Sequence, residues 1–158
     1  AFELGQHLQR LGLRQIRDMG IGGTLEVAGL TVTMTQAVHS SSFMAGDNML
    51  PAGTPAGFVV RADGSPTIYY AGDTALFGDM KTIGEVYSPA IAFLPIGDRY
   101  TMGPEAAAMA ARWLGVRQVV PMHWGTFPAL TGTAGQLEAA LEGTGVEVLT
   151  LAPGETAR

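Results

Sequence analysis

The chain has 158 residues, 47% hydrophobic and 15% charged, a composition that suits one folded domain and excludes a disordered chain. The formal net charge is −5, and the nine Lys and Arg residues are scattered without a patch, which argues against nucleic acid as the partner. Cysteine is absent, so disulfides and thiolate metal sites are excluded and any metal must be held by His, Asp or Glu.

Phe2, Leu4, Leu8 and Leu11 recur at helical spacing, and Gly12 stops that helix. Arg14–Met19 reads as a short strand, followed by a turn at Gly20, Gly22 and Gly23. Thr24–Ala28 and Leu30–Val38 alternate about Ala28-Gly29, the pattern of a β-hairpin, and His39 follows the second strand. Residues 40–55 are rich in Ser, Gly, Asn and Pro and read as a loop. Ala56–Ala62 and Thr67–Ala71 are strands joined through Asp63-Gly64, with Gly72-Asp73-Thr74 directly after.

Leu76–Gly84 is expected to be helical, and Ala90–Ile96 is an apolar run typical of a buried strand. Gly103-Pro104-Glu105 opens an Ala-rich helix that stops at Gly115. Arg117–Met122 is a strand ending at His123. Thr133 and Gln136 form a capping box for a helix through Leu141, and Val146–Leu151 is the last strand. No apolar stretch reaches the ~18 residues of a membrane span, and no signal-peptide pattern is visible at the start, so a cytoplasmic location is expected.

His39, Asp73 and His123 each follow an apolar strand, and strand ends can converge on one rim. Imidazole and carboxylate are ligands that zinc, manganese and iron accept. The spacings, 73 − 39 = 34 and 123 − 73 = 50, match no compact motif. Each residue also has a plain structural reading. His39 could be a hydrogen-bonded histidine beside a serine loop, Asp73 a cap for the segment after it, and His123 a half-buried core residue.

The local sequences weigh against those plain readings. Ala37-Val38-His39-Ser40-Ser41-Ser42-Phe43, Tyr70-Ala71-Gly72-Asp73-Thr74, Leu94-Pro95-Ile96-Gly97, Tyr100-Thr101-Met102-Gly103-Pro104-Glu105 and Val120-Pro121-Met122-His123-Trp124-Gly125-Thr126-Phe127-Pro128 occur in one order. This run resembles the metal-dependent hydrolase branch of the metallo-β-lactamase superfamily, to which the ascorbate-phosphate lactonases are related. The resemblance covers nearly the whole chain and implies an α/β fold, the four-layer αββα sandwich. It implies His39 as ligand of a first metal, Asp73 as bridge between two metals and His123 as ligand of the second. The cofactor expected is two divalent ions, zinc first, with manganese or iron as alternatives.

One feature of that family has no counterpart here. Its H-x-H-x-D-H motif is absent, since the three histidines are His7, His39 and His123. His7 is expected to face solvent on the first helix. The resemblance therefore places residues 1–158 as the C-terminal part of a single domain, an incomplete sandwich completed by a companion chain that carries the N-terminal half. A fragment of a longer protein and a degenerate relative are the competing explanations.

The implied reaction is hydrolysis of a small-molecule lactone, amide or phosphoester by metal-bound hydroxide, with Asp73 as the catalytic residue. Arg99 and Trp124 are candidate substrate contacts. A surface ion pair for Arg99 and core packing for Trp124 are their structural alternatives. The rival function is a non-catalytic assembly or ligand-binding module with a degenerate metal site. Nucleic acid and membrane are not expected as partners, and an oligomer is.

Overall fold

The computed structural model describes residues 1–156. Helix α1 (Phe2–Arg10) leads into an irregular segment, then strands β1 (Thr24–Val27), β2 (Leu30–Gln36), β3 (Ser42–Ala45), β4 (Asn48–Pro51), β5 (Ala56–Arg61) and β6 (Ile68–Tyr70). Helix α2 (Met80–Tyr87), strand β7 (Ile91–Pro95), helix α3 (Pro104–Leu114), strand β8 (Gln118–Met122), helix α4 (Ala134–Ala140) and strand β9 (Glu147–Val148) complete the order. Seven strands form one sheet in the order β1-β2-β5-β6-β7-β8-β9, and β3-β4 stand apart as a separate hairpin. Pairing is antiparallel from β1 to β6 and parallel from β6 to β9. The parallel part follows from its helical crossovers, which a tight turn could not replace.

The elements form where local chemistry directs them. Ala28 and Gly29 both have positive φ, 52° and 79°, as the two-residue turn between β1 and β2 requires. Thr133 accepts from the Gln136 amide while the Gln136 side chain accepts from the Thr133 amide, so the capping box of α4 is complete. Gly115 closes α3 in the left-handed conformation.

Five expectations are corrected. Residues 14–19 form no strand: Gln15 takes a left-handed φ of 63°, which interrupts extended backbone. Within the expected loop 40–55, β3 and β4 pair around Gly46-Asp47, with Met44 opposite Met49. The helix expected over Leu76–Gly84 starts later, at Met80, and the last strand is confined to Glu147–Val148. His7 is half-buried and lies against the Phe43 ring, with centroids 4.1 Å apart.

The core lies between one face of the sheet and a row made by α2, α3 and α4. Val59, Tyr69, Ala92, Leu94 and Val119 meet Met80, Ile83, Ala107, Ala111, Leu114 and Leu137 there. The small residues of α3 let the layers approach closely; a Cβ on Gly84 of α2 would stand 2.7 Å from the Trp113 carbonyl. On the opposite face, register aligns Phe58, Tyr70, Phe93 and Val120 in one row, and Val32, Val60, Ile68 and Ile91 in the next. Most of these side chains are partly exposed, and Tyr70 is 45% exposed. Among the described residues there is one large sheet and one helical layer upon it.

Candidate metal centre

The three residues singled out in the sequence sit on loops leaving the same end of the sheet. His39 follows β2, Asp73 follows β6 and His123 follows β8. Two of them meet directly: His123 Nε2 lies 3.6 Å from Asp73 Oδ2. His39 and Asp73 line one open cleft of about 440 Å³ with Ser40, Ser41, Ser42, Pro55 and Ala56. His39 Nδ1 is 2.8 Å from the Ser40 carbonyl, to which it donates, and this leaves the Nε2 lone pair for a cation.

The backbone around these residues is unusual. His123 has a φ of 54°, a conformation that side-chain-bearing residues rarely adopt. Gly97, after β7, packs so tightly that a Cβ there would overlap the His123 carbonyl oxygen. The Ile96 amide donates to the Met122 carbonyl at 3.1 Å. Gly72, with a φ of 65°, has no room for a Cβ against the Ala56 carbonyl, 2.5 Å away. Two glycines thus fix the turns that carry Asp73 and His123.

The donor set fits a cation in part. Two ligands sharing a tetrahedral ion at about 2.1 Å stand roughly 3.4 Å apart, close to the separation of Asp73 and His123. His123 Nδ1 is buried and makes no hydrogen bond within the chain, so Nε2 is the nitrogen left to a cation. Among the described residues no three His, Asp or Glu side chains stand together as a complete cation site.

Arg99 and Trp124 occupy the neighbouring loops. Arg99 is exposed, with its guanidinium 5.4 Å from the centre of the Tyr100 ring. Asp98 and Arg99 both have positive φ, 63° and 51°. Trp124 is half-buried against the core, and its indole N–H donates to the Pro121 carbonyl at 3.3 Å. Tyr100 and Phe127, both exposed, face each other with ring centroids 6.4 Å apart; sequence reasoning gave Phe127 no role. Met44 and Met49 are exposed on the β3–β4 hairpin.

Residues 2–124 match the Beta-lactamase superfamily domain. The chain belongs to that family. The UPF0173 metal-dependent hydrolase of Methanoregula boonei is 46% identical over 155 residues, covering 98% of this chain and 69% of that protein. The UPF0173 metal-dependent hydrolase of Rubrobacter xylanophilus is 48% identical over 157 residues, covering 98% of this chain and 65% of the relative. Among solved structures, Igni18, a metallo hydrolase from the archaeon Ignicoccus hospitalis, superposes with a TM-score of 0.84 at 37% identity, over 98% of this chain and 65% of that one. The fold is therefore that of the superfamily, and the chain spans about two thirds of the length of these relatives. No helix among the described residues is long and apolar enough to cross a membrane.

Proposed function

We propose that this superfamily member is a metal-dependent hydrolase acting on a small-molecule lactone, amide or phosphoester. The observation that carries the reading is the Asp73–His123 pair, two donor atoms at near-ligand separation on loops leaving the same end of the sheet. His39, on the cleft it shares with Asp73, is the third ligand. Two divalent ions are proposed, zinc first and manganese or iron as alternatives. Asp73 would bridge them, and His39 and His123 would hold one each. A bound divalent ion supplies Lewis acidity and brings the ionisation of water near neutral pH. Asp73 orients the attacking water, while Arg99 and Trp124 line the approach of the substrate.

The remaining ligands are proposed to come from a companion N-terminal half bearing H-x-H-x-D-H. Three observations support it. The chain's three histidines form no such motif. The site lacks a complete donor set among the described residues. The sheet face bearing Phe58, Tyr70 and Phe93 stays partly exposed, which suits a docked second layer. The incomplete donor set also favours a second reading, a binding module without catalysis. A cytoplasmic location and an oligomeric state complete the proposal.

Elemental analysis of the native protein, paired with a panel of lactones, amides and phosphoesters, separates the two. The hydrolase reading expects bound metal and turnover of one class, both lost in Asp73→Ala. Metal-independent turnover, or none in a metal-loaded complex, contradicts it.

A further inference from the structure

Thr74 is fully buried, and it stands where three loops of the candidate site meet. Its Oγ1 accepts from the Val38 amide at 2.9 Å and donates to the Ala75 carbonyl at 2.8 Å. The Ala75 amide donates back to the Val38 carbonyl at 2.9 Å, so the residue before His39 is paired through both of its backbone groups. On its other side the Thr74 carbonyl accepts from the Met102 amide at 3.1 Å, at the end of the loop that carries Arg99. A hydroxyl with one lone pair and one proton committed to two different backbone partners has a fixed orientation.

From this we propose that Thr74 is a positioning residue: its hydroxyl sets where His39 stands relative to Asp73. These residues are joined by the covalent path through β3–β6, by the sheet pairing of β2 with β5 and of β5 with β6, and by the two-residue bridge from Asp73 through Thr74 to Val38. The sheet pairing ends at Gln36 and Tyr70, so beyond it the bridge, together with the Ala37 amide bond to the Pro55 carbonyl and the Ala75 amide bond to the Val38 carbonyl, acts closest to both side chains. Valine at position 74 keeps the shape of threonine and removes both hydroxyl bonds. Serine keeps the bonds and removes a methyl group. The inference rests on the metal-site reading for its meaning, and its test has an arm that does not.

The experiment adds Co²⁺ to the full chain and follows the imidazole resonances of His39 and His123 by NMR. Paramagnetic shifts fall steeply with distance from the ion. The wild type and Thr74→Ser should show Co²⁺-induced shifts at both rings. Thr74→Val should retain the His123 shift while the His39 shift drops at least twofold. Equal shifts in Thr74→Val and wild type, or a parallel loss at both rings, overturn the proposal.

Amide hydrogen exchange of the wild-type chain without metal supplies the second arm, and it decides the case if Thr74→Val does not fold. Val38, Ala75 and Met102 amides should exchange at least tenfold more slowly than those of β3 and β4. A Val38 amide as fast as the hairpin overturns the role of Thr74. A wild type that shows no Co²⁺ shift at either ring counts against the metal site itself, and exchange still judges Thr74.

Discussion

His123 has its imidazole within reach of Asp73 because its backbone is held in a left-handed turn by the carbonyl packed over Gly97. Gly97→Ala tests that support. The added methyl must displace the His123 carbonyl, so we expect a stability loss of about 1–3 kcal/mol in urea unfolding and at least tenfold weaker Co²⁺ binding. Tyr69 offers a second test away from the site. Burial pushes its hydroxyl up to about 12, while the neighbouring Thr35 hydroxyl pulls the other way. The two oxygens fall short of hydrogen-bond geometry and both are buried without a partner, so burial dominates. The folded state keeps this proton after the unfolded chain has lost it near pH 10. Stability should therefore fall as pH rises from about 10 to about 12, by roughly 2–3 kcal/mol in all, and the loss should be smaller in Tyr69→Phe. Denaturant melts at pH 9 and pH 12 measure it. The three candidate residues stood out in sequence because each follows an apolar strand within a distinctive local run, and the structure places all three on loops at one end of the sheet. Thr74 carried no such signal: a threonine in a turn is ordinary, and only the fold brings Val38 and Met102 to it.

Elements with strong local chemistry matched their expected bounds, and those governed by distant contacts did not. Helix α3 runs between Pro104 and Gly115, and α4 begins at its Thr133 cap, because proline, glycine and a capping box act within a few residues. Helix α2 starts at Met80, where the side chain is fully buried under α3, so tertiary packing moved the boundary expected at Leu76. The β3–β4 hairpin hid in a stretch rich in polar and turn-forming residues. Its Met44–Met49 and Phe43–Leu50 pairs gave too short a pattern to separate from loop. Two substitutions probe this scale by thermal unfolding. Thr133→Ala removes the α4 cap and should cost about 1 kcal/mol. Gly84→Ala forces a methyl against the Trp113 and Leu114 carbonyls where α2 crosses α3, and should cost more, about 1–3 kcal/mol.

For the whole molecule, the two faces of the sheet are unequal. One is sealed by α2, α3 and α4, while the other carries partly exposed Phe58, Tyr70 and Phe93, with Tyr70 and Phe93 rings 5.8 Å apart. Helix α1 shows the same imbalance: the apolar residues that marked it in sequence include Phe2, 59% exposed, and Leu11, 65% exposed. Sequence periodicity reports that a face is apolar but not what covers it, so this asymmetry became visible only in three dimensions. If a companion half docks on this face, Phe93→Asp should abolish its co-elution with the chain while leaving the urea midpoint of the isolated chain nearly unchanged. The proposed cation site would draw on the same docking, since Asp73 and His123 supply only part of a coordination shell among the described residues. Native mass spectrometry of the protein purified from its own cells tests both together. The account predicts two divalent ions held with a polypeptide segment bearing H-x-H-x-D-H, and their loss in both Asp73→Ala and His123→Ala. Full metal content retained in those two variants would contradict it.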